Sequence, residues 1–227
     1  MIQQLCAKIL YGWMGFRLNI TENHPDKYII CLAPHTSNMD FFVGVLYKNA
    51  ENIDCKFMMK KEWFFWPLGT IMKALGGIPV YRNKKMHATE IIAQQAMKAD
   101  KFQLCITPEG TRKNNPEWKK GFYYIAQNAS LPILLYGLDY KKRVIECTKT
   151  FYPTGDIDKD MAEIKAYFKD YKGRHEEKFA ILQKYNRVNL LVPVGAEHMY
   201  FAAIENKSCK LTALGKYYWK LVAGNII

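Results

Sequence analysis

Short apolar runs that each break into a polar loop and then a helix-period segment constrain this chain more than any other feature. The first, Tyr28–Ala33 (YIICLA), is continuous and β-branched, the pattern of a buried strand, and Pro34 ends it. Met39, Phe42, Val43, Leu46, Tyr47 and Ala50 then recur at helical spacing, which predicts an amphipathic helix starting near Ser37 and leaves His35 in the connecting loop. Phe102–Ile106 repeats the theme and runs into the loop TPEGTR. A helix over GFYYIAQNA and a strand over Pro132–Leu138 follow. Further strands are expected at Lys56–Met59 and Val144–Thr148. Helices are expected over Met86–Ala99, through Met86, Ile91, Ile92 and Met97, and from Asp158 onward, with Gly173 as the C-cap of the latter. Between these, WFFWPLGTIMKALGGIPVYR is cut into short pieces by Pro67, Gly69, Gly76, Gly77 and Pro79. Strands alternating with helices indicate one α/β domain, taken as residues 21–180, with a C-terminal extension over 181–227 of unknown role. In that extension RVNLLVPVG reads as a strand and LTALGKYYWKLVAG as a short helix with a faint winged-helix resemblance.

Residues 1–20 form a separate problem. Leu5, Ile9, Trp13 and Phe16, with Leu10 and Met14 beside them, recur at helical spacing and give a broad apolar face. That face fits a helix packed on the domain and equally an amphipathic helix lying in a membrane surface. With Lys8 and Arg17 inside it and no clear small-residue cleavage site, the segment does not read as a signal peptide. No run approaches the ~18 apolar residues of a transmembrane helix.

Charge narrows the partners. Lys and Arg number 33 against 21 Asp and Glu, a net +12, while 49% hydrophobic residues supply a sizeable core, so the chain is not a disordered basic tail. Such an excess points to an anion: nucleic acid, a phosphorylated substrate or an acidic lipid surface. The six cysteines form no C-x-x-C pair and no Cys/His cluster of zinc-site spacing, which reads as reduced thiols in a cytosolic protein with no metal site.

Two loops carry the chemistry, PHTSNMD and TPEGTR, and each follows a buried strand. In α/β sheets the loops at the carboxyl ends of strands form the ligand crevice, so the two are expected to converge. A histidine acting as general base needs one tautomer, which a carboxylate on Nδ1–H enforces; Asp40 in the first helical turn could serve His35 in this way. Ser37-x-x-Asp40 also resembles a capping box, in which Asp40 only satisfies the helix start. TPEGTR offers the same choice. Pro108 and Gly110 suit an ordinary type I turn, whereas Gly110 also admits close backbone approach, Thr111 brings a hydroxyl and Arg112 a planar fork matched to phosphate. Arg82 is a candidate second phosphate ligand. The P-loop, dinucleotide-binding, nucleophile-elbow and HExxH motifs are all absent from the sequence.

The ordered blocks PHTSNMD, KKEWFFWPLGTIMKALGGIPVYR, TPEGTR and LPILLYGLDY resemble those of the glycerolipid acyltransferases, specifically the PlsC-like 1-acylglycerol-3-phosphate acyltransferase family. The resemblance covers roughly 28–140, with Thr107 where many members carry a large apolar residue. It implies a central mixed sheet flanked by helices, of the glycerol-3-phosphate acyltransferase type. It implies transfer of an acyl group from acyl carrier protein or coenzyme A thioester to a lysophospholipid hydroxyl, with a lyso-aminolipid as the alternative acceptor. His35 and Asp40 would be catalytic. Arg112, Gly110 and Thr111, with Arg82, would hold the acceptor phosphate, Glu109 would position Arg112 or the acceptor, and N–H groups of Ser37 to Met39 would face the oxyanion. No cofactor or metal is implied and no nucleic acid is expected. The setting implied is cytoplasmic and bacterial, at the inner face of the cell membrane. Lys8 and Arg17 of the N-terminal segment, with Lys60, Lys61 and Lys73 around the aromatic WFFWP stretch, would meet its anionic surface.

Overall fold

The computed structural model describes residues 1–80 and 85–179, the side chains of 85–87 excepted. Arg82 and the elements expected after residue 180 lie outside the described residues.

Eight strands form one sheet: β1 (Arg17–Ile20), β2 (Lys27–Ala33), β3 (Lys56–Lys60), β4 (Gly77–Val80), β5 (Phe102–Ile106), β6 (Ile133–Asp139), β7 (Val144–Cys147) and β8 (Thr150–Phe151). Their order is β1-β7-β6-β2-β5-β3-β4, with β8 pairing β6. Strand β2 runs parallel to both neighbours, with Cys31 opposite Ile106 of β5 and Leu135 of β6, while β7 and β8 run antiparallel to β6. The sheet is therefore mixed. Its middle is the parallel trio β6-β2-β5, whose carboxyl ends open on one edge.

The unbroken apolar texture of β2 follows from having a core on each face, since successive side chains point to opposite sides of a sheet. Ile29, Cys31, Leu104, Ile133 and Leu135 pack with Phe122, Ile125, Met161, Ile164 and Phe168 of α5 (Gly121–Ala129), α6 (Ile157–Tyr167) and the turn after it. Tyr28, Ile30, Leu134, Tyr136 and Leu138 pack with Val43 and Tyr47 of α2 (Met39–Ala50) and with Leu10 and Phe16.

Several expectations need correction. Helix α1 (Ile2–Ala7) continues only through a π-helical turn, Lys8–Trp13; Gly15 at φ +70° then breaks it, and Arg17–Ile20 joins the sheet beside β7. Leu10 is fully buried, so this segment packs on the domain, yet Trp13 stays 85% exposed. In α2 Phe42 faces outward. In α4 (Lys85–Lys98) Ile91 and Met97 are exposed and the buried residues are Ala93 and Ala96, small side chains that permit close approach. Gly173 is no C-cap: α6 ends at Tyr167, and Gly173 packs instead on Pro34 and Thr36. The Lys61–Ala74 stretch divides, as its prolines and glycines predict, into a 3₁₀ turn (Lys61–Trp63) and α3 (Leu68–Ala74).

Candidate functional site

The loop after β2 places His35 at the start of α2. Its Nδ1 lies 3.1 Å from Asp40 Oδ2, and the side chain keeps 20% of its surface exposed while Asp40 is buried. Asp40 Oδ2 also accepts the N–H groups of Thr36 at 2.8 Å and Ser37 at 2.9 Å, and Oδ1 accepts the Tyr140 hydroxyl at 2.8 Å. The helix-capping and histidine-orienting readings are thus both true of one carboxylate. Bonds from four donors fix this carboxyl group in place, and Nδ1–H directed at Asp40 leaves Nε2 to accept a proton. The expected oxyanion donors are mostly committed elsewhere: Ser37 N–H serves Asp40, and Met39 N–H donates to Ser37 Oγ at 3.1 Å. Of the three, only Asn38 N–H has no acceptor among the described residues.

The second loop meets the first as expected, through a bond the sequence did not suggest. Glu109 Oε1 accepts the His35 backbone N–H at 2.5 Å. Of the two roles expected for Glu109, positioning Arg112 or the acceptor, no ion pair to Arg112 accompanies this clamp. Glu109 is buried, and its Oε2 has no hydrogen-bond partner among the described residues. Burial pushes its carboxyl up from the ordinary 4.5 to about 8; the His35 N–H opposes the rise and the Asp40 charge adds to it. The turn around it is real, with Gly110 N–H bonded to Thr107 C=O at 3.1 Å and Gly110 at φ +63°, a conformation that favours glycine. Asn115 braces this turn by donating to the Glu109 carbonyl at 2.9 Å. Thr111 Oγ1 accepts from Lys113 N–H at 3.3 Å. Arg112 is half-buried and makes no hydrogen bond or ion pair with any described residue, so its fork is open to an anion.

Tyr140 is the participant that sequence reading missed. It stands just past β6, and Phe16 packs edge-on against its ring at 5.6 Å between centroids. It closes the block LPILLYGLDY, but nothing in spacing alone ties it to an aspartate 100 residues away.

The loops after β2 and β5 therefore bring together an oriented histidine, a buried acid and an arginine with no partner among the described residues, and β6 adds Tyr140. A family model described as Acyltransferase matches residues 15–136, more than half of the 227 residues. The chain belongs to the acyltransferase family. Among family relatives, a Mycoplasma pneumoniae protein named as a probable 1-acyl-sn-glycerol-3-phosphate acyltransferase is 29% identical over 123 residues, covering 50% of this chain and 45% of that one. The human 1-acyl-sn-glycerol-3-phosphate acyltransferase beta is 28% identical over 140 residues, covering 59% and 49% respectively. The chain thus spans about half the length of the curated relatives it matches. The crystal structure of the 1-acyl-sn-glycerophosphate acyltransferase PlsC from Thermotoga maritima shares the acyltransferase fold, with a TM-score of 0.51 over 73% of this chain and 76% of that one at 17% identity.

Proposed function

We propose that this acyltransferase moves a fatty acyl group from a coenzyme A or acyl-carrier-protein thioester to the hydroxyl of a lysophospholipid, with 1-acyl-sn-glycerol-3-phosphate the favoured acceptor and phosphatidate the product. The observation that carries this reading is the His35–Asp40 pair at 3.1 Å, clamped by Glu109 to the loop that presents Arg112. His35 Nε2 takes the proton of the acceptor hydroxyl, and the oxygen attacks the thioester carbonyl. The tetrahedral oxyanion collapses to an ester, and the departing thiolate recovers the proton from the imidazolium, which Asp40 stabilises meanwhile. No acyl-enzyme forms. Arg112, beside Gly110 and Thr111, binds the acceptor phosphate bidentately.

The experiment is turnover of purified protein with 1-acylglycerol-3-phosphate and an acyl thioester. His35→Ala lowers kcat by roughly 10²–10⁴-fold, the worth of a positioned base; near-normal turnover refutes the base assignment. Arg112→Ala raises the acceptor KM more than it lowers kcat. An unchanged KM removes the phosphate role, and activity on a lyso-aminolipid that survives the loss of Arg112 redirects the acceptor to that class.

The same reading places the enzyme on a lipid surface. Trp63, Phe65, Trp66 and Ile71 are exposed on one stretch between β3 and β4, with Trp66 86% accessible, and Lys60, Lys61 and Lys73 are exposed alongside. Among the described residues no helix is long and apolar enough to cross a membrane. Aromatic side chains at the headgroup level and cations worth ~1 kcal/mol each near an anionic leaflet support peripheral, salt-sensitive attachment. Protein that fails to co-sediment with anionic vesicles at low salt contradicts it.

A further inference from the structure

The chain after α6 returns across the catalytic loop. Tyr171 lies against Gly137 of β6, where an added Cβ would stand 2.0 Å from its ring, and its hydroxyl donates to Glu146. The Lys172 carbonyl accepts Tyr140 N–H at 2.8 Å, and Lys172 N–H donates to Asp139 Oδ2 at 3.3 Å. Gly173 is buried so tightly that a Cβ would lie 2.7 Å from Thr36 Oγ1 and 3.2 Å from Pro34 Cβ. His175 N–H donates to Thr36 Oγ1 at 3.2 Å. Residues 171–175 are thus a strap fastened to both neighbours of His35 in sequence and to Tyr140, the residue that holds Asp40.

Arg174 sits between the two residues bonded or packed against Thr36. The other basic side chains of the strap have acidic partners, Lys172 with Glu176 at 3.5 Å and His175 with Glu177 at 3.7 Å. Arg174 is exposed and makes no hydrogen bond or ion pair with any described residue. Its positive charge reaches the site: burial and then the Asp40 carboxylate raise the Tyr140 phenol pKa, and Arg174 works against them.

Sheet order decides what this arginine faces. Strand β2, which ends at His35, lies between β5 and β6. Arg112 follows β5, whereas Tyr140 and the strap stand at the end of β6. The loop bearing His35 thus has the segment carrying Arg112 on its β5 side and the strap carrying Arg174 fastened to its β6 side, and neither arginine is paired among the described residues. The transfer proposed above has two substrates, and each carries phosphate: the acceptor in its headgroup, the donor in the phosphopantetheine arm of its thiol. We propose that Arg174 binds a phosphoryl group of the thioester donor, leaving Arg112 to the acceptor. This assignment rests on the acyl-transfer reading of the site, and it extends the site to a segment outside the matched residues 15–136.

Calorimetric titration of the full chain with coenzyme A alone, and separately with glycerol 3-phosphate alone, tests it without turnover. Arg174→Gln weakens coenzyme A about tenfold, the worth of one charge-assisted contact, and leaves glycerol 3-phosphate unchanged. Arg174→Lys recovers part of that loss, because the charge is kept and the fork is not. Arg112→Gln shows the reverse selectivity. If Arg174→Gln weakens glycerol 3-phosphate instead, the phosphoryl site belongs to the acceptor and the donor assignment is overturned. If both probes bind Arg174→Gln as they bind wild type, Arg174 has no such role while the acyl-transfer reading stands. Wild-type protein that binds neither probe overturns both.

Discussion

Glu109 turns a buried clamp into a measurable pH dependence. Its carboxyl is held at about 8 in the fold against an ordinary 4.5. Between those values the folded chain keeps a proton that the unfolded chain has released, so the native state binds more protons. The free energy of unfolding therefore falls as pH rises through the window and is unaffected by this group below it, where both states are protonated. A displacement of that size bounds the loss at ~5 kcal/mol. Glu109→Gln removes the titration and keeps an oxygen to accept the His35 N–H. Its amide also puts two N–H donors where Oε2 now lacks a partner, which costs about 1–3 kcal/mol at every pH. The comparison is therefore in slope, not level. Urea unfolding of both proteins at intervals from pH 5 to 9 gives ΔG at each pH. Wild type should lose several kcal/mol more than the variant between the ends of the series, and subtraction cancels every other group that titrates there. Parallel curves would refute the claim that Glu109 is buried protonated beside Asp40.

Two further outcomes follow from the same network. Tyr140→Phe keeps the ring and its contact with Phe16 but strips Oδ1 of Asp40 of its hydroxyl donor, at a cost of about 1.5–3 kcal/mol for a bond to a charged group. Denaturant midpoints read that loss, and kcat should fall more than KM rises; a variant unchanged in both sinks the role. Gly173→Ala drives a methyl group into Thr36 and Pro34, so it should cost about 1–3 kcal/mol by overpacking and lower kcat with it, whereas a variant as stable and active as wild type would show the strap to be loosely held.

How much of the fold was legible depended on whether an element's inward face was made of large side chains. Strands β2, β5 and β6 and helices α2 and α5 were readable because their buried residues are big and periodic, as in Phe122, Tyr123, Ile125 and Ala126 of α5. Helix α4 was placed correctly in the chain, but of the apolar residues that marked it Ile92 packs on the core while Ile91 and Met97 do not. Among its described side chains the buried ones are Ala93 and Ala96, which carry almost no periodic hydrophobic signal. Strand β1 was absorbed into the preceding helix for a related reason: Arg17–Ile20 is short and mostly exposed at the sheet edge, and only Gly15 marked the break. Gly173, six residues past the end of α6, misled in the other direction, since a glycine near a helix end suggests a cap and here serves close packing.

The site was legible where its parts are local and opaque where they are tertiary. His35 and Asp40 lie five residues apart, and Glu109 to Arg112 are contiguous, so sequence could nominate each pair. What joins them comes from sheet order. Because β2 sits between β5 and β6, the loop bearing His35 has a neighbour on each side, and each takes hold of it, Glu109 by the His35 N–H and Tyr140 by the Asp40 carboxyl group, while the strap adds a bond from His175 N–H to Thr36. The net charge of +12 cannot be apportioned before that order is known. Once it is, Arg112 and Arg174 stand out as cations on the segments around the catalytic loop that have no ion pair among the described residues. A guanidinium with no ion pair among the described residues adds little to the stability of the fold, so the position of each is better explained by a ligand's charge.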